Sequence, residues 1–425
     1  MLKRAKKYYS NSEFTRNVVT LMTGTTIAQA IPIAISPILT RIYTPDDFGV
    51  LALFMAITAV TGTIANAKYE LAIVLPKEEK DAVNILILSV IINFIFSLLL
   101  LFVILIFNEQ IVKIIGNVKI KNWLYLIPVS TLFFGIFNGL NYYNIRHKKF
   151  GKIAKSQITK SNSLAVTQIG LGFLKNGAIG LILGQLMSYV SGNLLLFKTV
   201  KENGKIDKYV NKKCIFKNAK NYKKFPFFSL PSIFLNVLNL NIINFLVSSI
   251  FSVTTLGFYS LTQRIVGIPS RVIGSSLSQV YFQKATAEYQ KTGETRRIFL
   301  KTLKKLIVIG LPIFLVLFFI AEPVFAFVFG EEWRIAGTYA KILVPFAYIR
   351  FISSSLSNTT DIHQFQQIGL VINIILLLTV IILFYFAKIY SISFNNILVF
   401  YSIILSFEYL IFIYLYFLIS KSKKR

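Results

Sequence analysis

Apolar residues run in long blocks through most of this 425-residue chain, and short polar stretches separate them. An α-helix needs about 20 predominantly apolar residues to cross a hydrocarbon core roughly 30 Å thick. Blocks of spanning length fall at 18–40, 48–67, 83–107, 122–143, 157–174, 177–197, 226–250, 256–282, 303–329, 334–357, 367–387 and 395–419. The pattern predicts an all-α integral membrane protein with about twelve transmembrane helices. Blocks 157–174 and 256–282 are the most polar, rich in Ser, Thr, Gln and Gly. Helices of that kind line a protein interior, where polar side chains find partners.

Four cations interrupt the apolar pattern: Arg264 and Arg271 in one block, Lys341 and Arg350 in another. A cation at the bilayer centre costs roughly 2.5–3.5 kcal/mol on insertion scales, so it faces a bundle interior or an aqueous cavity. Arg264 and Arg271 are about two helical turns apart and project from one face. Lys341 and Arg350 are about half a turn out of phase and face apart. Few carboxylates accompany them, which points to an anionic ligand.

Composition supports the membrane reading. Hydrophobic residues make up 55% of the chain and charged residues 15%, against roughly 25% charged in soluble domains. The net charge of +29 does not indicate nucleic acid, because the cations cluster between the apolar blocks. Of the 46 lysines and arginines, about 35 fall on one side of the predicted topology and about 7 on the other. The positive-inside rule then places both termini of this multi-pass protein in the cytoplasm. The third inner connection, residues 144–160, takes in Lys160. Cys214 is the single cysteine, and His147 and His363 are far apart, so no metal or cofactor site is expected. Met1 to Thr20 is basic and polar, unlike a cleaved signal peptide.

The chain repeats its own plan. Ile42 to Leu53 aligns with Ile250 to Leu261, each a short outer connection ending in Gly49 or Gly257 and then a helix. Glu109 to Gly116 likewise aligns with Glu322 to Gly330, and each precedes a helix containing proline, Pro128 or Pro345. Two matches in the same order predict two six-helix lobes of like orientation around a central cavity, an arrangement suited to alternating access. The expected organisation is an N-terminal lobe at 1–200, a basic cytoplasmic linker at 201–225 and a C-terminal lobe at 226–425.

These residues also carry a resemblance. Pro37 to Gly49 resembles the first outer loop of bacterial polysaccharide flippases, and Lys68 to Pro76 their first inner loop. Leu256 to Ser260, with Arg264 and Pro269, resembles the start of their eighth helix. Phe329 to Gly337 is similar to their ninth-to-tenth helix loop. The family is the O-antigen and exopolysaccharide exporter branch of the multidrug/oligosaccharidyl-lipid/polysaccharide superfamily. The resemblance implies movement of an undecaprenyl-pyrophosphate-linked oligosaccharide from the cytoplasmic to the outer leaflet. It also implies a setting among glycan polymerases and glycosyltransferases.

The chemistry of the residues agrees with such a substrate. Guanidinium forks bind phosphate oxygens bidentately, and no GxxxxGK[ST] motif supplies an ATP-driven motor. Arg264 is the strongest candidate for substrate binding, followed by Arg271, Arg350, Lys341 and Arg41. Structural ion pairing, snorkelling or helix capping is the alternative for each. Ser260, Thr262, Gln263, Ser270, Ser275 and Gln279 offer hydrogen bonds to sugar hydroxyls. Glu408, in the last block, is expected to neutralise an arginine, with proton coupling or a protonated structural role as alternatives. Glu70 pairs with Lys68 or another inner loop. A multidrug cation antiporter would want buried carboxylates, and a membrane polymerase or acyltransferase would want a large outer loop or a catalytic His/Asp set.

Overall fold

The computed structural model describes residues 13–174, 177–202 and 206–422. The terminal cations that enter the orientation argument, at 1–12 and 423–425, lie outside the described residues. The principal helices are α1 (Glu13–Ala34), α2 (Ser36–Ile42), α3 (Pro45–Ala65), α4 (Glu79–Ile115), α5 (Ile127–Arg146), α6 (Phe150–Gly172), α7 (Ile179–Glu202), α8 (Lys212–Asn221) and α9 (Leu230–Ile250). They continue as α10 (Val253–Val266), α11 (Ser275–Thr292), α12 (Arg296–Phe329), α13 (Arg334–Leu356), α14 (Gln366–Ile389) and α15 (Phe394–Ser420). Among the described residues no strand occurs. Among the described residues, ten helical spans are long and apolar enough to cross a membrane. The two expected segments that fall short of that apolarity, α6 and α10–α11, are helical and sit where the most polar blocks were read. The chain divides into two compact units, Met1–Phe245 and Leu246–Arg425.

In the first unit, α5 is the helix on which others close. Asn66, just past α3, donates to the Gly135 carbonyl (2.8 Å). Asn93 of α4 donates to Leu132 O (2.8 Å) and Asn193 of α7 to Phe133 O (2.9 Å). These amides join helices where water is absent and an unmatched polar group would be costly. Gly135 leaves the space they occupy: a Cβ there would lie 2.5 Å from Asn66 Oδ1 and Asn93 Nδ2.

One end of this unit is tied by Arg146, which no sequence reading singled out. It donates to the carbonyls of Pro76 (2.6 Å), Lys77 (3.2 Å) and Ile73 (3.4 Å) and to the Glu79 carboxylate (3.1 Å). Glu79 also accepts from Tyr143 at 2.5 Å. The loop from Lys68 to Pro76 is thereby fixed as a 3₁₀ turn (Tyr69–Val74) beneath α4 and α5.

The two repeat pairs have matching local geometry, each within its own unit. Thr44 caps α3 by accepting from Asp47 N, while its aligned partner Ser252 caps α10 by accepting from Thr255 N. The preceding aromatics are both packed. Tyr43 donates to Gln168 O (2.6 Å), and Phe251 meets Phe384 and Phe394 edge-on. At the second pair, α4 ends at Gly116 (φ 73°) and α12 at Gly330 (φ 109°), conformations that favour glycine. A 3₁₀ turn follows each, then a proline-bearing helix.

The second unit packs α12 against α13 and α10 against α13. Gly337 lets α13 approach α12 so closely that a Cβ would sit 2.7 Å from Glu322 Cα. Thr262 of α10 donates to Ala336 O at 2.7 Å. His363, buried after α13, bridges Thr295 Oγ1 through Nε2 (3.0 Å) and Ser422 Oγ through Nδ1 (3.0 Å).

Two outcomes follow from this packing. Gly135→Val displaces two amides that bridge helices, and we expect a stability loss of about 2–4 kcal/mol; thermal unfolding in detergent measures it. Burial lowers the His363 pKa below its ordinary value. The fold therefore favours neutral imidazole, whose contribution is complete above about pH 6.5 and is lost as pH falls through the lower folded value. The unfolding temperature should drop from pH 7 toward pH 5, and His363→Gln should flatten that part of the profile.

Candidate functional site

The polar helix pair α10–α11 brings the leading candidates together. α10 ends at Val266, Gly267 follows, and residues Ser270–Gly274 form a widened π turn before α11. In this turn the Arg271 guanidinium folds back and donates to the Arg264 carbonyl. It lies 3.5 Å from where a Cβ of Gly267 would be, an ordinary van der Waals contact. Arg264 retains some accessible surface although it is set deep in the helix packing, and its guanidinium feels the positive charge of Arg271. Arg271 is exposed. The expected shared face is thus realised, drawn tighter by a turn that the spacing did not reveal.

Arg350 occupies a tyrosine pocket in the same unit. Tyr409, Tyr401 and Tyr259 lie within electrostatic reach of its guanidinium. Its guanidinium carbon is 6.0 Å from the Phe346 ring centre. Tyr259 and Tyr401 lie beside one another, and Gln263 donates to Tyr259 Oη at 2.6 Å. A polar string therefore runs from Gln263, next to Arg264, to the tyrosines around Arg350. Tyrosine hydroxyls solvate a cation without neutralising it, so Arg350 keeps its charge available. Sequence reasoning missed these tyrosines because aromatics make up 15% of the chain.

The remaining candidates are dispersed. Lys341 pairs with Glu322 at 3.6 Å and rims an apolar groove of about 460 Å³ lined by Phe318, Pro345, Ile349 and Phe407. That placement, away from the tyrosines of Arg350, agrees with their opposite faces. Arg41 is exposed at the end of α2. The aspartates expected to cap it are otherwise engaged: Asp47 accepts from Thr44 and Asp46 pairs with Lys119.

Glu408 departs from the expectation that it neutralises an arginine. Among the described residues its carboxylate is in no ion pair; it accepts from Thr379 at 2.5 Å, and Oε2 is buried without a hydrogen bond. The physical reason is helical phase, which turns Glu408 toward α14 while the adjacent Tyr409 meets Arg350. Glu70 pairs with Lys68 at 3.4 Å, both buried. Burial raises the Glu70 carboxyl above its ordinary value, and the Lys68 ammonium offsets this only in part. Of the hydroxyls and amides assigned to sugars, Thr262, Ser260 and Ser275 bond backbone carbonyls and Gln263 bonds Tyr259, whereas Gln279 is exposed. Among the described residues no cluster of three or more His, Cys, Asp or Glu is placed to hold a metal ion.

Comparison with known proteins bears on this arrangement. The family described as polysaccharide biosynthesis protein matches residues 38–336. An uncharacterized membrane protein in the cps region of Klebsiella pneumoniae is 25% identical over 369 residues, covering 83% of this chain and 72% of its own. The teichuronic acid biosynthesis protein TuaB of Bacillus subtilis (strain 168) is 23% identical over 259 residues, covering 60% of this chain and 52% of its own. Among solved structures, the lipid II flippase MurJ in an inward closed conformation superposes with a TM-score of 0.74 at 17% identity, over 95% of this chain and 87% of that one. An inward-facing MATE-family multidrug resistance transporter of the MOP superfamily gives 0.67 at 16% identity, over 93% of each chain. With the family match covering well over half of its length, the chain belongs to the polysaccharide biosynthesis protein family, as a polytopic membrane protein whose fold resembles those of the lipid II flippase and MATE-family structures.

Proposed function

We propose that this protein flips an undecaprenyl-pyrophosphate-linked oligosaccharide from the cytoplasmic to the outer leaflet by alternating access, for surface polysaccharide biosynthesis. The observation that carries the reading is the Arg264–Arg271 pair. Two guanidinium groups held close enough to repel each other in an apolar lobe are stabilised most by a ligand of at least two negative charges. A pyrophosphate has that charge, and planar guanidinium forks match its oxygens. Its lipid tail stays in the bilayer while the charged head and sugars move. Support for a glycan comes from the family and from relatives named for a cps region and for teichuronic acid biosynthesis. Arg350 serves as a further anion contact, and Arg41 and Lys341 as contacts nearer helix ends.

In this reading the protein sits in the bacterial cytoplasmic membrane with both termini inside. It receives its substrate from glycosyltransferases and delivers it to a glycan polymerase. The two lobes of the cycle are the expected 1–200 and 226–425, with the basic stretch 201–225 between them. Multidrug cation export is the competing reading, favoured by the fold and by the half-bonded Glu408 carboxylate.

Arg264→Glu should reduce transport of lipid-linked glycan at least tenfold in proteoliposomes while leaving membrane abundance within twofold, and Arg264→Lys should retain part of the activity. Full transport by the glutamate variant would overturn the anion site. Glycan transport unaffected by that change, together with cation-drug efflux abolished by Glu408→Gln, would favour the competing reading.

A further inference from the structure

The first unit holds a cation of its own that the topology assigned to a loop. Lys160 lies ten residues inside α6, which begins at Phe150 rather than at residue 157. Its ammonium rests 3.8 Å from the ring centre of Phe137 and 4.6 Å from that of Tyr189. Those rings fix its depth. Phe137 is nine residues from the Arg146 end of α5, and Tyr189 is ten from the Ile179 end of α7. At 1.5 Å per residue the ammonium is about 14–15 Å from either helix end, in the middle of a core roughly 30 Å thick. A lysine that snorkelled would lie nearer an end.

The neighbours of Lys160 on α6 show what is unusual about it. Ser156 donates to Gly192 O, Ser161 to Ala28 O, Ser163 to Met187 O and Gln168 to Leu181 O. The polar residues of α6 thus act as helix-to-helix hydrogen bonds. Lys160 makes none. Among the described residues no carboxylate lies within 4.0 Å of it, and its partners are ring faces. Gly192 leaves space for its stem, since a Cβ there would stand 2.6 Å from Lys160 Cγ. The residue as a whole nevertheless keeps some accessible surface.

Ring faces stabilise a cation by about 0.5–2 kcal/mol, less than its desolvation costs. A charged lysine at this depth, with space cleared for its stem and ring faces as its partners, is suited to receive an anion. We propose that Lys160 is an anion-binding residue of the first lobe, taking the phosphate oxygens of the transported lipid pyrophosphate in exchange for part of its aromatic cage. The inference rests on the flippase reading above and adds a residue and a lobe to it. Lysine suits the role because its ammonium is a point charge on a flexible stem, free to move between rings and ligand.

Binding of undecaprenyl pyrophosphate to the full-length protein in nanodiscs tests this, with inorganic pyrophosphate as competitor. Lys160→Met fills the same space without charge, and Lys160→Arg keeps the charge. The expected result is at least a tenfold weaker lipid affinity for the methionine variant, affinity within about threefold of wild type for the arginine variant, and an unfolding temperature for the methionine variant equal to or above wild type. Stronger competition by the lipid than by inorganic pyrophosphate identifies the headgroup of the lipid as the ligand; equal competition points to free phosphate species and overturns the lipid assignment. Wild-type affinity in Lys160→Met, with affinity lost in Arg264→Glu, overturns the role of Lys160 and leaves the flippase reading intact. Absence of lipid binding by the wild-type protein removes both. A methionine variant that fails to fold, with Lys160→Arg folded but unable to bind, also counts against the proposal.

Discussion

A positive charge held away from water must be given a counter-charge, a set of dipoles or a ring face, and this requirement organises the interior of the protein. Lys68 has a carboxylate, Glu70. Arg146 has three carbonyls and Glu79. Arg350 has tyrosine hydroxyls, and Lys160 has two ring faces. The order runs from strong, fixed partners to weak, exchangeable ones. Hydrogen bonds to charged groups contribute about 1.5–3 kcal/mol each and hold geometry. Ring contacts contribute less and direct less. Arg146 therefore belongs to the framework of the first lobe, binding the loop from Ile73 to Lys77 against α5.

The framework around these charges is set by punctuation that recurs in the two halves. A hydroxyl cap at Thr44 and Ser252 starts the second helix of each half, and a positive-φ glycine at Gly116 and Gly330 stops the third. Helix ends in hydrocarbon or at its edge leave backbone groups without water, so caps and stops hold the helices in register as well as ending them. Within each half the polar side chains then do the packing. Asn66, Asn93 and Asn193 close helices onto α5, and Thr262 closes α10 onto α13. Hydrophobic burial discriminates little between partners when the solvent is itself apolar; hydrogen bonds and close approach at glycine supply the specificity.

This division of labour explains how much of the molecule could be read in its sequence. Spans, caps, glycine stops and the repeat depend on local chemistry and length, and they were legible. Arg264 and Arg271 stood out because arginine is conspicuous in an apolar block. Their closeness was not legible to the same degree, since spacing gives the face and the π turn at Ser270–Gly274 sets the approach. Lys160 was hidden because hydropathy places the start of a polar helix too late: α6 opens with Lys152 and Lys155, which read as loop. The tyrosines around Arg350 were invisible for the opposite reason, being three among 21 in the chain. Glu408 misled because periodicity cannot tell which neighbouring helix a residue will face, and one position separates Glu408, on Thr379, from Tyr409, on Arg350.

Under the proposed flippase reading, the binding cations also need to be weakly satisfied when empty. If a cation were locked to a carboxylate, an arriving phosphate would have to break an ion pair that is strong at low dielectric. If it had no partner at all, releasing the substrate would return a bare charge to an apolar site, and the substrate would stay bound. Tyrosine hydroxyls and ring faces lie between these limits. The difference between a ring contact and a charge-assisted hydrogen bond is on the order of 1–2 kcal/mol, small enough for a ligand to be exchanged in both directions. Arg350 and Lys160 both have partners of this intermediate strength, whereas Arg146 and Lys68 do not. The strength of the resting partner, more than depth or charge alone, separates the cations suited to moving an anion from those that hold the helices in place.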